Sequence, residues 1–141
     1  MKYEFASKQW LAALHGLIVG RAGAVGAIDP YLSYSLCEVY TGTPPHISPT
    51  GKLAWHYRVR GTEVEFHETE SDDVDFKVVC DYQGILPAGR FDTKGDPARQ
   101  TEMAAMGSAL EKDGKLQRFG DPGKRPGSFR SLHDAIARMT L

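Results

Sequence analysis

The sequence is short of the features that announce a function outright. It has two cysteines, Cys37 and Cys80, which form no CxxC pair and no cluster with histidine. That excludes a zinc ribbon, a thioredoxin-like redox motif and a disulfide scaffold, and it leaves two free thiols suited to a reducing compartment. Charge of either sign is not in excess: 17 basic against 18 acidic side chains give a formal net charge of −1. No global field favours nucleic acid or an anionic membrane, and nucleic acid is not expected as a partner. The apolar stretch near the start, "WLAALHGLIVG", is too short to span a bilayer and contains His15. No signal-peptide pattern precedes it, so a cytoplasmic protein without stable membrane insertion is expected. There is no internal repeat and no low-complexity tract. "GDPGKRPG" is not a phosphate-binding loop, because its glycine spacing is wrong and no Ser or Thr follows the lysine. No cofactor is expected.

What is present is an ordinary globular composition. The hydrophobic share is 41% and the charged share 25% over 141 residues, which fits one domain spanning residues 1–141. A chain of this size buries roughly 68–70% of its unfolded surface.

Ser7 is placed to cap a helix, after which Trp10, Leu11, Leu14, Leu17, Ile18 and Val25 recur at helical spacing. Glycines at 16, 20, 23 and 26 weaken that helix or let another element approach closely, and it is expected to fray or end between Gly20 and Gly26. "SYSLCEVYT", residues 33–41, alternates Tyr34, Leu36, Glu38 and Tyr40 against Ser35, Cys37 and Val39, a strand apolar on both faces. The prolines of "TPPHISPTG" make a loop. Gly61-Thr62 matches a type II′ hairpin turn, which fixes a register: Arg60 opposite Glu63, Arg58 opposite Glu65, His56 opposite His67, Val59 opposite Val64 and Tyr57 opposite Phe66. One face is charge-complementary and the other aromatic.

"VDFKVVCD", residues 74–81, reads as a strand; "YQGILPAGRF" as a short helix or turn stopped by Pro87 and Gly89. Pro97 opens a helix with the stripe Met103, Met106, Gly107 and Leu110, stopped at Gly114. "KLQRFG" is a short strand. Ser128 is expected to cap a last helix with the stripe Phe129, Leu132, Ile136 and Met139. Strands grouped early and helices late give an α+β class.

Three groups could carry chemistry. His56 and His67, directly opposed, could both reach one ion, with Glu65 or Glu63 as a third ligand, yet no HExxH or similar spacing supports this; the plainer reading is an exposed sheet face with the cross-strand pairs Arg58–Glu65 and Arg60–Glu63. Glu38, between Tyr34 and Tyr40, becomes a buried carboxylate and candidate general base if its face lines a cavity. Otherwise it pairs with a nearby cation or meets solvent, and the pattern does not fix which face is inside. Lys124 and Arg125, in a basic segment with Lys115, Arg118 and Arg130, could meet an anionic headgroup or form only a solvated loop. His133-Asp134 is no dyad, since adjacent helical residues do not face each other.

Three segments together resemble the sterol carrier protein type 2 domain: "DDVDFKVVCDYQGIL", its strand-then-helix segment; "GSALEKDGKLQRFGD", its helix, small-residue turn and Gly-Lys-Leu strand; and "SFRSLHDAIARMTL", its C-terminal helix. The hairpin also sits where that family places its second and third strands. The resemblance covers nearly the whole chain; the loop 43–50 and the segment 87–98 have no counterpart in it. It implies a five-stranded, mostly antiparallel sheet covered by helices on one side. An apolar tunnel between them would take a sterol, fatty acyl chain or other hydrophobic small molecule. The family has no universal catalytic residues to carry over. Apolar patterning puts Trp55, Tyr57, Phe66, Met103, Met106, Phe119, Leu132, Ile136 and Met139 at such a tunnel, with Glu38, Tyr40 or Tyr57 orienting a ligand oxygen. The expected function is binding or transfer of a hydrophobic small molecule. The alternative is a cofactor-free isomerase, lyase or cyclase acting on a hydrophobic carbonyl compound in the same cavity. An exposed edge strand would permit a homodimer, but no residue pattern points to one.

Overall fold

A computed structural model describes residues 1–141. Its first helix, α1 (Lys8–Gly26), starts where Ser7 accepts the Trp10 N–H at 3.2 Å. It ends at Gly26, the far limit of the expected interval. Gly16, Gly20 and Gly23 are exposed with open space around them, so they weaken the helix without interrupting it. Trp10, Leu11, Leu14, Ile18 and Ala22 form its buried face. Gly26 has a different role: a Cβ there would overlap the Gly61 backbone, so the helix end can lie against the hairpin turn only because no side chain intervenes.

Five strands follow the expected order: β1 (Ser33–Thr41), β2 (Lys52–Arg60), β3 (Glu63–His67), β4 (Phe76–Asp81) and β5 (Leu116–Gly120). They form one sheet in the order β3-β2-β1-β4-β5. Three of the four pairings are antiparallel; β1 and β4 run parallel. The hairpin has the register read from Gly61-Thr62, with all five expected pairs opposed. Gly61 takes φ +58° and Thr62 does not take a positive φ, as a type II′ turn requires. The expected ion pairs across it do not form. Arg58 turns instead to Asp73, donating to its carbonyl at 2.7 Å and lying 3.6 Å from its carboxylate.

Because β4 lies beyond β1, the eight residues 68–75 must cross the outer face of β2 and β1. Polar contacts fix that strap. The Ser35 hydroxyl donates to Asp75 Oδ2 at 3.1 Å and accepts the Asp75 N–H at 2.8 Å. Lys77 Nζ lies 2.5 Å from Glu70 and 2.6 Å from Asp72. Cys37 is fully buried beneath the strap.

The remaining helices are α2 (Tyr82–Gly89), α3 (Pro97–Lys112) and α4 (Leu132–Ala137). Pro87 is inside α2 rather than at its stop. Asp81 and Asp96 cap α2 and α3 through the N–H groups of Gly84 and Arg99. The last helix differs from expectation: Ser128 does not cap it. Residues 127–129 form a 3-10 turn, and the Ser128 carbonyl accepts from Arg21 of α1. α4 has six residues starting at Leu132. The core is a 20-residue cluster joining α1 and α4 to one face of the sheet. No helix is long and apolar enough to cross a membrane. The architecture is α+β, as the element order implied.

Candidate functional site

Strand alternation decides what faces the helices. On β1 it is Tyr34, Leu36, Glu38 and Tyr40; on β2, Trp55, Tyr57 and Val59; on β4, Val78 and Cys80. β1 is the central strand and is buried on both faces, which is why its pattern alone could not orient it. Between this face and the helices lies a cavity of about 190 Å³. α1 contributes Trp10, Leu14 and Ile18; α2 contributes Ile85 and Ala88; α4 contributes Leu132, His133 and Ile136. Fifteen of its 19 lining residues are hydrophobic, and the charged or titratable exceptions are Glu38, Arg125 and His133. Arg125 is the one exposed lining residue and marks the mouth.

The floor of the cavity is a hydrogen-bond relay. Trp55 Nε1–H donates to the Tyr40 hydroxyl at 2.9 Å, and that hydroxyl donates to Glu38 Oε1 at 2.9 Å. Tyr40 and Trp55 are buried; Glu38 is half-buried because it meets the hollow. Burial raises the Glu38 carboxyl above the usual range, while the Tyr40 hydrogen bond and the Arg125 charge oppose that rise. Burial also pushes the Tyr40 and Tyr57 hydroxyls upward, with the Glu38 charge adding to both. His133 Nε2 lies 3.0 Å from the Phe91 carbonyl, so this nitrogen carries a proton. Burial lowers the His133 pKa and keeps the ring neutral near pH 7. The Arg125 charge acts on Glu38, Tyr57 and His133 alike, yet Arg125 forms no ion pair of its own.

Of the positions expected at a tunnel, Glu38, Tyr40, Trp55, Tyr57, Leu132 and Ile136 lie together on this wall. Five do not. Phe66 sits behind Trp55, stacked on it at 6.1 Å and on His15 at 4.7 Å. Met139 packs half-buried against the core past the end of α4. Met103 and Met106 lie on α3, which packs on α2 and β5, so α2 stands between them and the cavity. Phe119 pairs with Lys77 on the outer face of the sheet and is 51% exposed. Sequence reading passes over His133 as helix surface and gives Arg125 only an open alternative. Pro122 and Pro126, which bracket the 3-10 turn at 122–124, are the available signal for a loop held in place.

His56 and His67 do oppose each other, with ring centroids 5.0 Å apart, but on the outer face, away from the cavity. His56 Nδ1 is 2.6 Å from the Thr69 carbonyl. No group of three or more His, Cys, Asp or Glu is gathered as a metal site there or elsewhere.

No protein-family model matches the chain, and no curated protein matches it. Solved structures do. A conserved hypothetical protein from Thermus thermophilus, put forward as a sterol carrier protein, superposes with a TM-score of 0.50 at 12% identity, over 99% of this chain and 90% of that one. A crystal structure of sterol carrier protein 2 gives 0.48 at 11% identity, over 96% of each chain. A ubiquinone synthesis protein, UbiJ-SCP2, gives 0.41 at 17%, over 86% of this chain and 92% of that one. The first of these carries the comparison, and at 12% identity it shows the fold: five strands and covering helices arranged as in sterol-carrier-like proteins.

Proposed function

We propose that this protein binds a hydrophobic small molecule in the cavity between sheet and helices and carries it unchanged. The observation that supports this is the cavity itself: an apolar hollow with a few convergent polar groups, the usual make-up of a ligand site. Affinity would come from burying apolar ligand surface at roughly 25 cal/mol per Å², less the cost of ordering. The volume limits the occupant. About 190 Å³ is below the ~300–1,000 Å³ of most small-molecule sites. A ring or a short chain segment fits; a longer lipid would leave its remainder at the mouth beside Arg125. Native mass spectrometry of freshly purified protein tests the reading, together with thermal shifts against a panel of sterols, fatty acids and prenyl lipids. A co-purifying adduct or a saturable rise in Tm is expected. A bare mass from several expression hosts, with no shift from any lipid, would overturn it.

Glu38 favours a second reading. A carrier does not require an ionisable group inside an apolar cavity, whereas a cofactor-free isomerase, lyase or cyclase of a hydrophobic carbonyl compound does. Binding and turnover measured separately for Glu38→Gln divide the two. Retained binding with abolished turnover marks an enzyme; absence of any turnover in the parent protein leaves the carrier.

A further inference from the structure

We infer that the cavity selects a neutral hydroxyl group, a phenol or ring alcohol, as the end of the ligand that reaches its floor, with Glu38 as the specificity-determining residue. This rests on the binding reading above and gives it a ligand class. The argument is one of hydrogen direction. Trp55 can only donate, so the Tyr40 oxygen accepts from it, and the Tyr40 hydrogen is committed to Glu38 Oε1. Every hydrogen in the relay points toward the carboxylate, and such chains polarise one another in that sense. The second carboxylate oxygen, Oε2, has no hydrogen-bond partner in the protein and is not sealed from the cavity. The relay therefore presents an acceptor to whatever enters.

Charge narrows the donor further. A ligand carboxylate at the floor would face the Glu38 carboxylate. A ligand ammonium would have to shed its hydration in a mostly apolar hollow whose field already includes the Arg125 charge at the mouth. A neutral donor escapes both penalties. Size and wall chemistry agree: an apolar cavity of about 150 Å³ already holds a benzene ring, and here Trp55 and Tyr57 lie near-parallel at 6.1 Å along the wall.

The test is a set of matched ligands sharing a propylphenyl body: 4-propylphenol, 4-propyltoluene, 4-propylbenzoate, 4-propylbenzylamine and 4-propylacetophenone. Each Kd is measured by calorimetry or ligand-observed NMR. The phenol should bind about tenfold more tightly than the toluene, the worth of one charge-assisted hydrogen bond. The acid, amine and ketone should all bind more weakly than the phenol. Glu38→Gln should reorder the series instead of abolishing it. Its amide oxygen keeps the Tyr40 bond and turns an N–H₂ donor to the ligand, so the ketone should overtake the phenol. Should that variant not fold, the parent ranking still decides: toluene, ketone, amine or acid binding as tightly as phenol overturns the inference. Lipid binding without hydroxyl preference sinks only this inference. Failure of both the series and the lipid panel sinks the binding reading with it.

Discussion

Two buried tyrosines on the same face of β1 differ in what their hydroxyls meet. The Tyr40 oxygen accepts from Trp55 and donates to Glu38, while the Tyr34 hydroxyl, equally buried, meets no hydrogen-bond partner in the protein. Removing Tyr40's oxygen orphans a buried indole N–H and strips a donor from Glu38, whereas removing Tyr34's oxygen deletes an unsatisfied group. Tyr40→Phe should therefore lose about 1–3 kcal/mol of unfolding free energy, and Tyr34→Phe should lose none or gain slightly. Urea titration of both variants reads this directly, and equal losses would contradict the relay. Glu38 adds a pH signature. Its folded-state pKa is raised by burial, so across the window from the ordinary ~4.3 up to that raised value the native state holds more protons than the unfolded chain. Its contribution to stability is then greatest at low pH and declines as pH rises through the window. Glu38→Gln removes this titration. Relative to the parent, the variant should gain stability as pH rises from the ordinary carboxylate range through that raised value. A gap that does not change with pH would show that Glu38 is not buried as described.

At the scale of elements, the glycines of α1 separate into two kinds. Gly16 faces open space, so Gly16→Ala should stabilise by up to about 1 kcal/mol through helix propensity alone. Gly26 touches the Gly61 backbone, and Gly26→Ala should instead destabilise by about 1–3 kcal/mol, because its methyl group must push the hairpin turn away. Thermal melts of the two variants should move in opposite directions. Sequence alone gave both the same two readings, helix weakening and close approach of another element; which applies where is decided by the hairpin turn at Gly61, distant in the chain, packing on the helix end. The hairpin is the reverse case. Its register was fully legible, since a Gly-led two-residue turn and period-2 alternation are local rules. Its ion pairs were not, because the strap brought Asp73 within reach of Arg58.

At the scale of the whole molecule, the cavity separates binding from folding. Ala88 on α2 is buried and faces the hollow. Ala88→Leu would occupy part of the roughly 190 Å³ with apolar atoms. Filling a cavity commonly stabilises by about 0.5–2 kcal/mol. The variant should therefore melt no lower than the parent while losing the shift produced by every lipid that stabilises the parent. Retained binding at unchanged affinity would place the ligand elsewhere.

What the sequence determined by itself were properties set within a few residues of one another: the cap at Ser7, the helix start at Pro97, the Gly61-Thr62 turn, the alternation of each strand, and hence the α+β order of elements. Tertiary structure decided which face of β1 looks inward, because a central strand is apolar on both sides and its burial depends on what crosses each face. It also decided that Arg125 stands at a cavity mouth, that His133 lines a wall, and that the methionines of α3 lie behind α2. Each of these depends on contacts between segments far apart in the chain. Periodicity can mark a side chain as apolar or charged, but only the packing of distant elements says whether it meets solvent, core or a hollow.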